Sequence, residues 1–305
     1  MRIAIIGAGA MGGLLGFYLA DQVDLILVDP WMEHVDAINR TGLICEHDGS
    51  IEVRTPRAVT DPALAAPADL ALVLVKAAQT PWAARACQAV LAADGIAYTL
   101  QNGLGHREIL AELLGERRTG QGVTALGATL LGPGHIRHAG MGPTLLGADP
   151  DPGRAALLCD LLNRGGLPAS VSHSIESLVW GKLLVNVGIN ALTALLRLPN
   201  GAVATNPTVR ALAAAAVTEA ATIAQAHGVQ LPYHDAVAHM VAVAEATATN
   251  RSSMLQDLLR GAPTEIAAIN GAIVREGALL ELPTPINTTL SRLIEALETT
   301  TDQRI

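Results

Sequence analysis

Apolar residues recur along the first half of the chain in short continuous runs, separated by stretches of helical period. Arg2 to Ile6, Leu25 to Val28, Leu70 to Val75 and Ile96 to Leu100 are such runs, and each predicts a strand covered on both faces. Between them, Met11 to Ala20 and Trp31 to Arg40 follow a helical pattern, the second stopped by Gly42. Thr80-Pro81 predicts another helix, with Thr80 as N-cap and Pro81 in the first turn. Asp48-Gly49, with Leu43 to Glu46 before it and Ile51 to Val53 after it, is a hairpin signal. Strands alternating with helices in this way predict a parallel, doubly wound sheet.

After about Ser172 the pattern changes. Strand signals nearly vanish, and Ala- and Leu-rich helical patterns follow at Ile175 to Leu196, Thr208 to His227, Asp235 to Ala248, Pro263 to Leu280 and Ile286 to Leu297. The reading is therefore an α/β domain over residues 1–170 and an all-helical domain over 171–305, with no internal repeat and no low-complexity linker. Half of the residues are hydrophobic and 16% are charged, enough apolar material for two cores. The formal charge of -8 and the lack of a basic stretch exclude a nucleic-acid surface, which needs clustered Lys and Arg.

Cys45, Cys87 and Cys159 are scattered and odd in number. They make neither a disulfide framework nor a metal motif, and point to a reducing, cytoplasmic setting. The nine histidines show no metal-ligand spacing, so no metal is expected and they are read as solvated or structural. Met1-Arg2 and the apolar stretch to Ala20 have the outline of a secretory signal. That stretch carries five glycines, however, each weakening a hydrophobic helix by up to about 1 kcal/mol. No membrane span is expected either: the longest apolar run, Leu183 to Leu196, is interrupted by Asn186 and Asn190.

The glycines have another explanation. Gly7, Gly9 and Gly12, in the run Gly7-Ala8-Gly9-Ala10-Met11-Gly12, stand between a predicted strand and a predicted helix. At that spacing the first permits a tight turn, the second lets backbone approach a pyrophosphate, and the third lets helix pack on strand. Free N–H groups at the helix start favour the anion. Asp29 ends the second strand about 20 residues on, where an acidic side chain bonds a free ribose 2′-hydroxyl. The first domain is thus a Rossmann domain for NAD(P)H. Asp29 favours NADH, because a 2′-phosphate would meet a like charge and Pro30, Trp31 and Met32 supply no cation. The alternative role for Asp29 is to cap the helix beginning near Trp31.

In the second domain, Lys182, Asn186 and Asn190 lie four residues apart on one face of an otherwise apolar helix. Burying them unpaired is costly, so they require partners, either a neighbouring helix or a ligand. Asn250, Ser252, Ser253 and Asp257 cluster at another helix start, where Asn250 or Ser252 can serve as N-cap. Glu265 falls in the first turn of the helix expected from Pro263, an ordinary place for an acid. Asn270-Gly271, inside that helix, suggests close packing.

Taken in order, several blocks resemble ketopantoate reductase over nearly the whole chain. They are the Gly7 to Gly12 start, Lys76 after the third strand, Gln101-Asn102-Gly103, Trp180-Gly181-Lys182-Leu183 with Asn186 and Asn190, Ser252 to Asp257, and Thr264-Glu265-Ile266 with Ile269-Asn270-Gly271. The resemblance implies a two-domain enzyme that reduces the ketone of 2-dehydropantoate to pantoate, a step toward pantothenate and coenzyme A. By the same resemblance Lys182 is the general acid and Glu265 orients substrate and lysine. Asn186, Asn190, Asn250 and Ser253 hold the substrate's hydroxyl and carboxylate, while Lys76 and Asn102 lie at the cofactor.

Members specific for NADPH tend to carry a basic residue near position 29, and this chain departs from that habit. The departure raises a second reading, an NADH-dependent D-2-hydroxyacid dehydrogenase of the same family. A third, from another class, is a non-catalytic dinucleotide sensor, which would need neither Lys182 nor Glu265. The expected partner is a small 2-oxo acid, with no nucleic acid and no membrane; a homodimer stays open.

Overall fold

A computed structural model describes residues 1–300. The chain divides into two compact units: Met1–Gln101 with His106–Ile175, and Asn102–Gly105 with the chain from Glu176 onward. Residue 170, the boundary expected from composition, lies inside a strand of the first unit.

The first unit carries strands β1 (Arg2–Ile6), β2 (Asp24–Val28), β3 (Leu43–His47), β4 (Ser50–Arg54), β5 (Arg57–Val59), β6 (Ala68–Val73) and β7 (Leu91–Thr99). They are followed by β8 (Thr119–Thr124), β9 (Gly127–Gly132), β10 (His135–Gly140), β11 (Thr144–Gly147) and β12 (Ala169–Ser172). Its helices are α1 (Ala10–Leu19), α2 (Met32–Thr41), α3 (Thr80–Val90), α4 (His106–Leu114) and α5 (Pro152–Arg164). The large sheet runs β12-β11-β8-β7-β6-β1-β2-β5. From β5 to β8 it is parallel, and the order β5-β2-β1-β6-β7-β8 is that of two mononucleotide-binding halves meeting between β1 and β6. The glycine loop leaves the carboxyl end of β1 at this switch point, where open α/β sheets bind their ligands.

The continuous apolar runs are explained by cover on both faces. Ile3 and Ile5 of β1 pack with Leu14 and Leu15 of α1 and Leu158 of α5. Ala4 and Ile6 pack on the other face with Ala83 and Cys87 of α3 and Leu110 of α4. Burying each such Leu or Ile contributes roughly 1.5–3 kcal/mol, so both faces must stay apolar. The Asp48-Gly49 hairpin forms, both residues with positive φ as a two-residue hairpin turn requires. It joins β10 and β9 in a separate four-stranded sheet, β4-β3-β10-β9.

Thr80 differs from the expectation. A 3-10 turn at Ala77–Gln79 runs straight into α3, whose N-cap is Gln79. The Thr80 hydroxyl instead donates to Ala77 O and accepts from Gln101 Nε2, so it is spent on tying two loops together.

Among the described residues the second unit is helical throughout: α6 (Ile175–Leu196), α7 (Gly201–Thr205), α8 (Pro207–Ala226), α9 (Ala236–Ala246), α10 (Ser253–Leu259), α11 (Asn270–Leu279) and α12 (Pro285–Thr299). By length and composition α6 alone among the described helices could span a membrane, but most of it is buried in the unit's core. Leu184 and Val187 of α6 pack there with Val217 and Ile223 of α8 and Met240 of α9. A helix apolar on most sides belongs at the centre of a bundle.

The helix expected from Pro263 to Leu280 is broken. Ile266–Ala268 is a 3-10 turn, and α11 begins only at Asn270. Asn270, fully buried, donates to Val187 O of α6 and to Asn287 Oδ1 of α12. Asn287 in turn donates to Glu219 of α8, whose carboxylate also accepts the Ile286 and Asn287 N–H groups at the start of α12. This chain of bonds links four helices and gives partners to the Asn270 amide nitrogen, the Asn287 side chain and the Glu219 carboxylate, groups that would be costly to bury alone.

Candidate active site

In the first unit the site is built on the loop between β1 and α1. Gly7 has φ of +93°, and a Cβ there would stand 2.6 Å from Val75 Cγ1. A Cβ on Gly12 would fall 1.8 Å from Gly7 O, so helix and strand can meet only if this residue is glycine. Gly9 is different: a Cβ there would meet nothing within 4 Å. It faces open space at the N-terminus of α1, where backbone N–H groups favour an anion. The cradle that a side chain would fill is thus kept clear, and these residues fit a dinucleotide pyrophosphate.

Asp29 follows β2 directly, with its carboxylate turned to this loop. Oδ2 accepts the Ala8 N–H at 2.8 Å and Oδ1 accepts the Trp31 N–H at 2.9 Å. The N-cap of α2 is Trp31, so Asp29 is more than a helix cap pointing away. Ala10 and Met11 open α1 and are half-buried. Lys76 is exposed and follows Val75, the residue against which Gly7 packs.

In the second unit α6 carries Lys182, half-buried Asn186 and buried Asn190 along one face. Burial drives the Lys182 ammonium down from the ordinary 10.5 to about 8, and the Glu265 carboxylate acts in the opposite direction. Glu265 is only 6% exposed. A carboxylate so buried needs compensation, and it has both the lysine charge and the Asn102 amide, which donates to Glu265 Oε2 at 3.2 Å. The loop bearing Asn102 lies against the Glu265 turn through backbone as well: Leu104 N–H donates to Ala268 O, and a Cβ on Gly103 would stand 2.2 Å from that oxygen.

One turn beyond Asn190, buried Thr193 donates its hydroxyl to Ser252 Oγ at 2.8 Å. Ser252 is the N-cap of α10 and accepts the Leu255 N–H, which leaves Ser253 as the exposed first residue of the helix. Asn250 is exposed; its carbonyl accepts the Asn200 N–H. The structure therefore brings Lys182, Glu265 and Asn102 together and fixes the start of α10 to the lysine helix. Asn102, expected with Lys76 at the cofactor, is bonded to the Glu265 carboxylate.

A lysine with its pKa lowered to about 8 beside a buried carboxylate is an arrangement able to give up a proton near neutral pH. Comparison with known proteins decides the family. Residues 3–151 match the family model of ketopantoate reductase PanE/ApbA, and residues 174–298 match the model of its C-terminal part. The chain belongs to the ketopantoate reductase family. It is a family of NAD(P)H-dependent oxidoreductases.

Among its members, the 2-dehydropantoate 2-reductase of Halobacterium salinarum is 38% identical over 299 residues, 96% of this chain and 98% of that one. The structure of a ketopantoate reductase from Ralstonia eutropha superposes with a TM-score of 0.91 at 34% identity, covering 99% of this chain and 100% of that one. The ternary structure of D-mandelate dehydrogenase with NADH and anilino(oxo)acetate superposes with a TM-score of 0.92 at 30% identity, with the same coverage. The Rossmann architecture and the helical second part expected from sequence are those of the family.

Sequence reasoning passed over Thr193 and gave Gln101 no role of its own. Gln101 donates to Val75 O and Thr80 Oγ1 and so bridges the loops after β6 and β7. Its place beside Asn102-Gly103 was the available signal. Thr193 lies one turn past Asn190 on the polar stripe, and a stripe extended by three residues would have included it.

Proposed function

We propose that this family member is a 2-dehydropantoate 2-reductase, carrying the ketone of 2-dehydropantoate to the alcohol of pantoate. The observation that carries the reading is the desolvated Lys182 ammonium, lowered to about 8, set with Glu265 and Asn102. Reduction of a ketone adds a hydride at carbon and a proton at oxygen. The reduced nicotinamide, when bound, supplies the hydride. Lys182 Nζ donates to the ketone oxygen, offsets the charge developing there, and gives up its proton as the alkoxide forms. Glu265 keeps the ammonium charged and orients it. Asn186, Asn190, Asn250 and Ser253 bind the substrate's hydroxyl and carboxylate, and Gly7, Ala8, Gly9, Ala10, Met11 and Gly12 bind the pyrophosphate with Lys76 close by.

NADH is the preferred cofactor in this reading. Both oxygens of the Asp29 carboxylate are held by backbone N–H groups, which keeps its charge at the loop, where a ribose hydroxyl finds an acceptor and a 2′-phosphate finds repulsion. The same feature supports a second reading, an NADH-dependent D-2-hydroxyacid dehydrogenase, since D-mandelate dehydrogenase with NADH is among the most similar structures. A cytoplasmic setting fits the three buried, unpaired cysteines. The test is a panel of 2-oxo acids, 2-dehydropantoate and phenylglyoxylate among them, assayed with NADH and NADPH in parallel. The highest kcat/KM with 2-dehydropantoate supports the reductase. A tenfold advantage for an aromatic oxo acid moves the assignment to the dehydrogenase, and no turnover with any of them overturns both.

A further inference from the structure

His34 is fully buried in the first turn of α2, and both ring nitrogens are engaged. Nδ1 lies 3.0 Å from the Gly134 backbone N–H, at the turn between β9 and β10, and can only accept there. The proton is then on Nε2, which lies 2.9 Å from Ala8 O and donates to it. The two bonds together require a neutral imidazole in one tautomer. The Trp31 indole stacks on the ring, with centroids 5.2 Å apart and planes 8° apart.

Ala8 is the middle of the Gly7-Ala8-Gly9 turn. Its N–H is taken by Asp29 and its C=O by His34, so side chains hold both polar groups of this residue. The small sheet also meets the helix that follows: a Cβ on Gly13 of α1 would stand 3.1 Å from Ile136 Cγ2 of β10. Loop, α2 and the β9–β10 turn are thus one bonded assembly, and the His34 side chain links Ala8 directly to Gly134.

We propose that His34 is a positioning residue for dinucleotide binding: it ties the Ala8 carbonyl to the β9–β10 turn and presets the loop whose N–H groups receive the pyrophosphate, which makes the four-stranded sheet part of the cofactor site. The proposal rests on the reading of residues 7–12 as the pyrophosphate loop. A loop already in its bound shape binds more tightly because less ordering remains to be done.

Three substitutions separate the two bonds. In His34→Asn the amide oxygen replaces Nδ1 and keeps the Gly134 bond, but the side chain is too short to reach Ala8. In His34→Gln the amide nitrogen replaces Nε2 and keeps the Ala8 bond. His34→Phe keeps the ring and loses both. Titration of NADH and NADPH by fluorescence on the full-length protein should show Kd raised by about tenfold, about 1.4 kcal/mol, in His34→Asn and His34→Phe. His34→Gln should stay within about threefold of the unmutated protein, on the far side of the tenfold step that a lost positioning bond predicts. In all three, kcat and the oxo-acid KM at saturating dinucleotide should be unchanged.

Thermal unfolding of the same proteins guards against misfolding. If Kd follows the loss of Tm across the series, with Gln no better than Asn, the role is structural and the proposal fails. Gly9→Val, which would fill the clear cradle, is the control. If it binds dinucleotide as well as the unmutated protein, the loop reading itself is wrong. If it loses binding while His34→Asn binds normally, the proposal alone falls.

Discussion

Glu265→Gln tests the electrostatics of the proton donor with little change of shape. The glutamine retains an oxygen to accept from Asn102, so the bond between the two turns survives, while the negative charge beside Lys182 is removed. Burial has already brought the lysine from 10.5 to about 8, about 3 kcal/mol against the charged form. Glu265 works against that fall, and so without it the lysine must drop further. An adjacent opposite charge is commonly worth one to three pKa units, which places the variant's lysine at roughly 5 to 7.

The sign follows from the proton count. Ketone reduction needs the ammonium, so kcat/KM for the oxo acid at saturating dinucleotide is flat below the lysine pKa and falls tenfold per pH unit above it. In the unmutated protein the fall should begin at about pH 8. In Glu265→Gln it should begin near pH 5 to 7, costing about threefold to a few hundredfold at pH 7.5 and progressively less as the pH falls. Oxidation of the alcohol needs the neutral amine and should gain at neutral pH in the same variant. A loss that is equal at every pH, or a limb that stays at 8 or moves upward, would refute the coupling between Glu265 and Lys182.

Two further substitutions address the remaining roles. Lys182→Ala should lower turnover by about 10²- to 10⁴-fold, the range for a lost general acid, with NADH binding by fluorescence unchanged; near-normal turnover would remove Lys182 from the chemistry. Asp29→Asn keeps an acceptor for the Ala8 N–H but drops the charge, so the NADH-to-NADPH ratio of kcat/KM should move toward NADPH by about tenfold, about 1.4 kcal/mol. An unchanged ratio would show that the carboxylate does not sense the 2′-position.

The parts of the fold legible in the sequence are those specified by neighbours along the chain. The β1–α1–β2 segment declares itself because two apolar runs flank glycines at a spacing that only a tight turn and a close helix–strand contact require. The β3–β4 hairpin is visible because Asp48-Gly49 suits positive φ at both turn positions. The pairing of β10 alongside β3 is not visible. It joins Ile44 to His135 across some ninety residues, and nothing in either strand names the other. The strands from β8 to β12 were equally quiet because several positions that would carry β-branched signals are glycine. At Gly120 a Cβ would stand 2.3 Å from the Tyr98 ring, so packing removed the residue type that pattern reading depends on. His34 shows the same limit: a lone histidine on a helix carries no mark of being buried between two backbone groups.

The broken helix after Pro263 bears most directly on the chemistry. As the start of one continuous helix, Glu265 would serve the dipole of that helix and keep its charge toward water. Instead the 3-10 turn at Ile266–Ala268, and Ile269 with φ of -103° and ψ of -95°, interrupt the helix between Glu265 and Asn270. The interruption gives the two side chains separate tasks. Asn270 opens α11, and its amide nitrogen is used inside the bundle, on Val187 O and Asn287. Glu265 is left at the N-cap of the 3-10 turn, buried, bonded to Asn102 and acting on Lys182. Apolar periodicity runs through the break undisturbed, since Ile266, Ile269 and Ile273 all enter the same core. The residues that make the segment look like one helix are those that pack it, and the residue that gives it a chemical use is placed by where the helix stops.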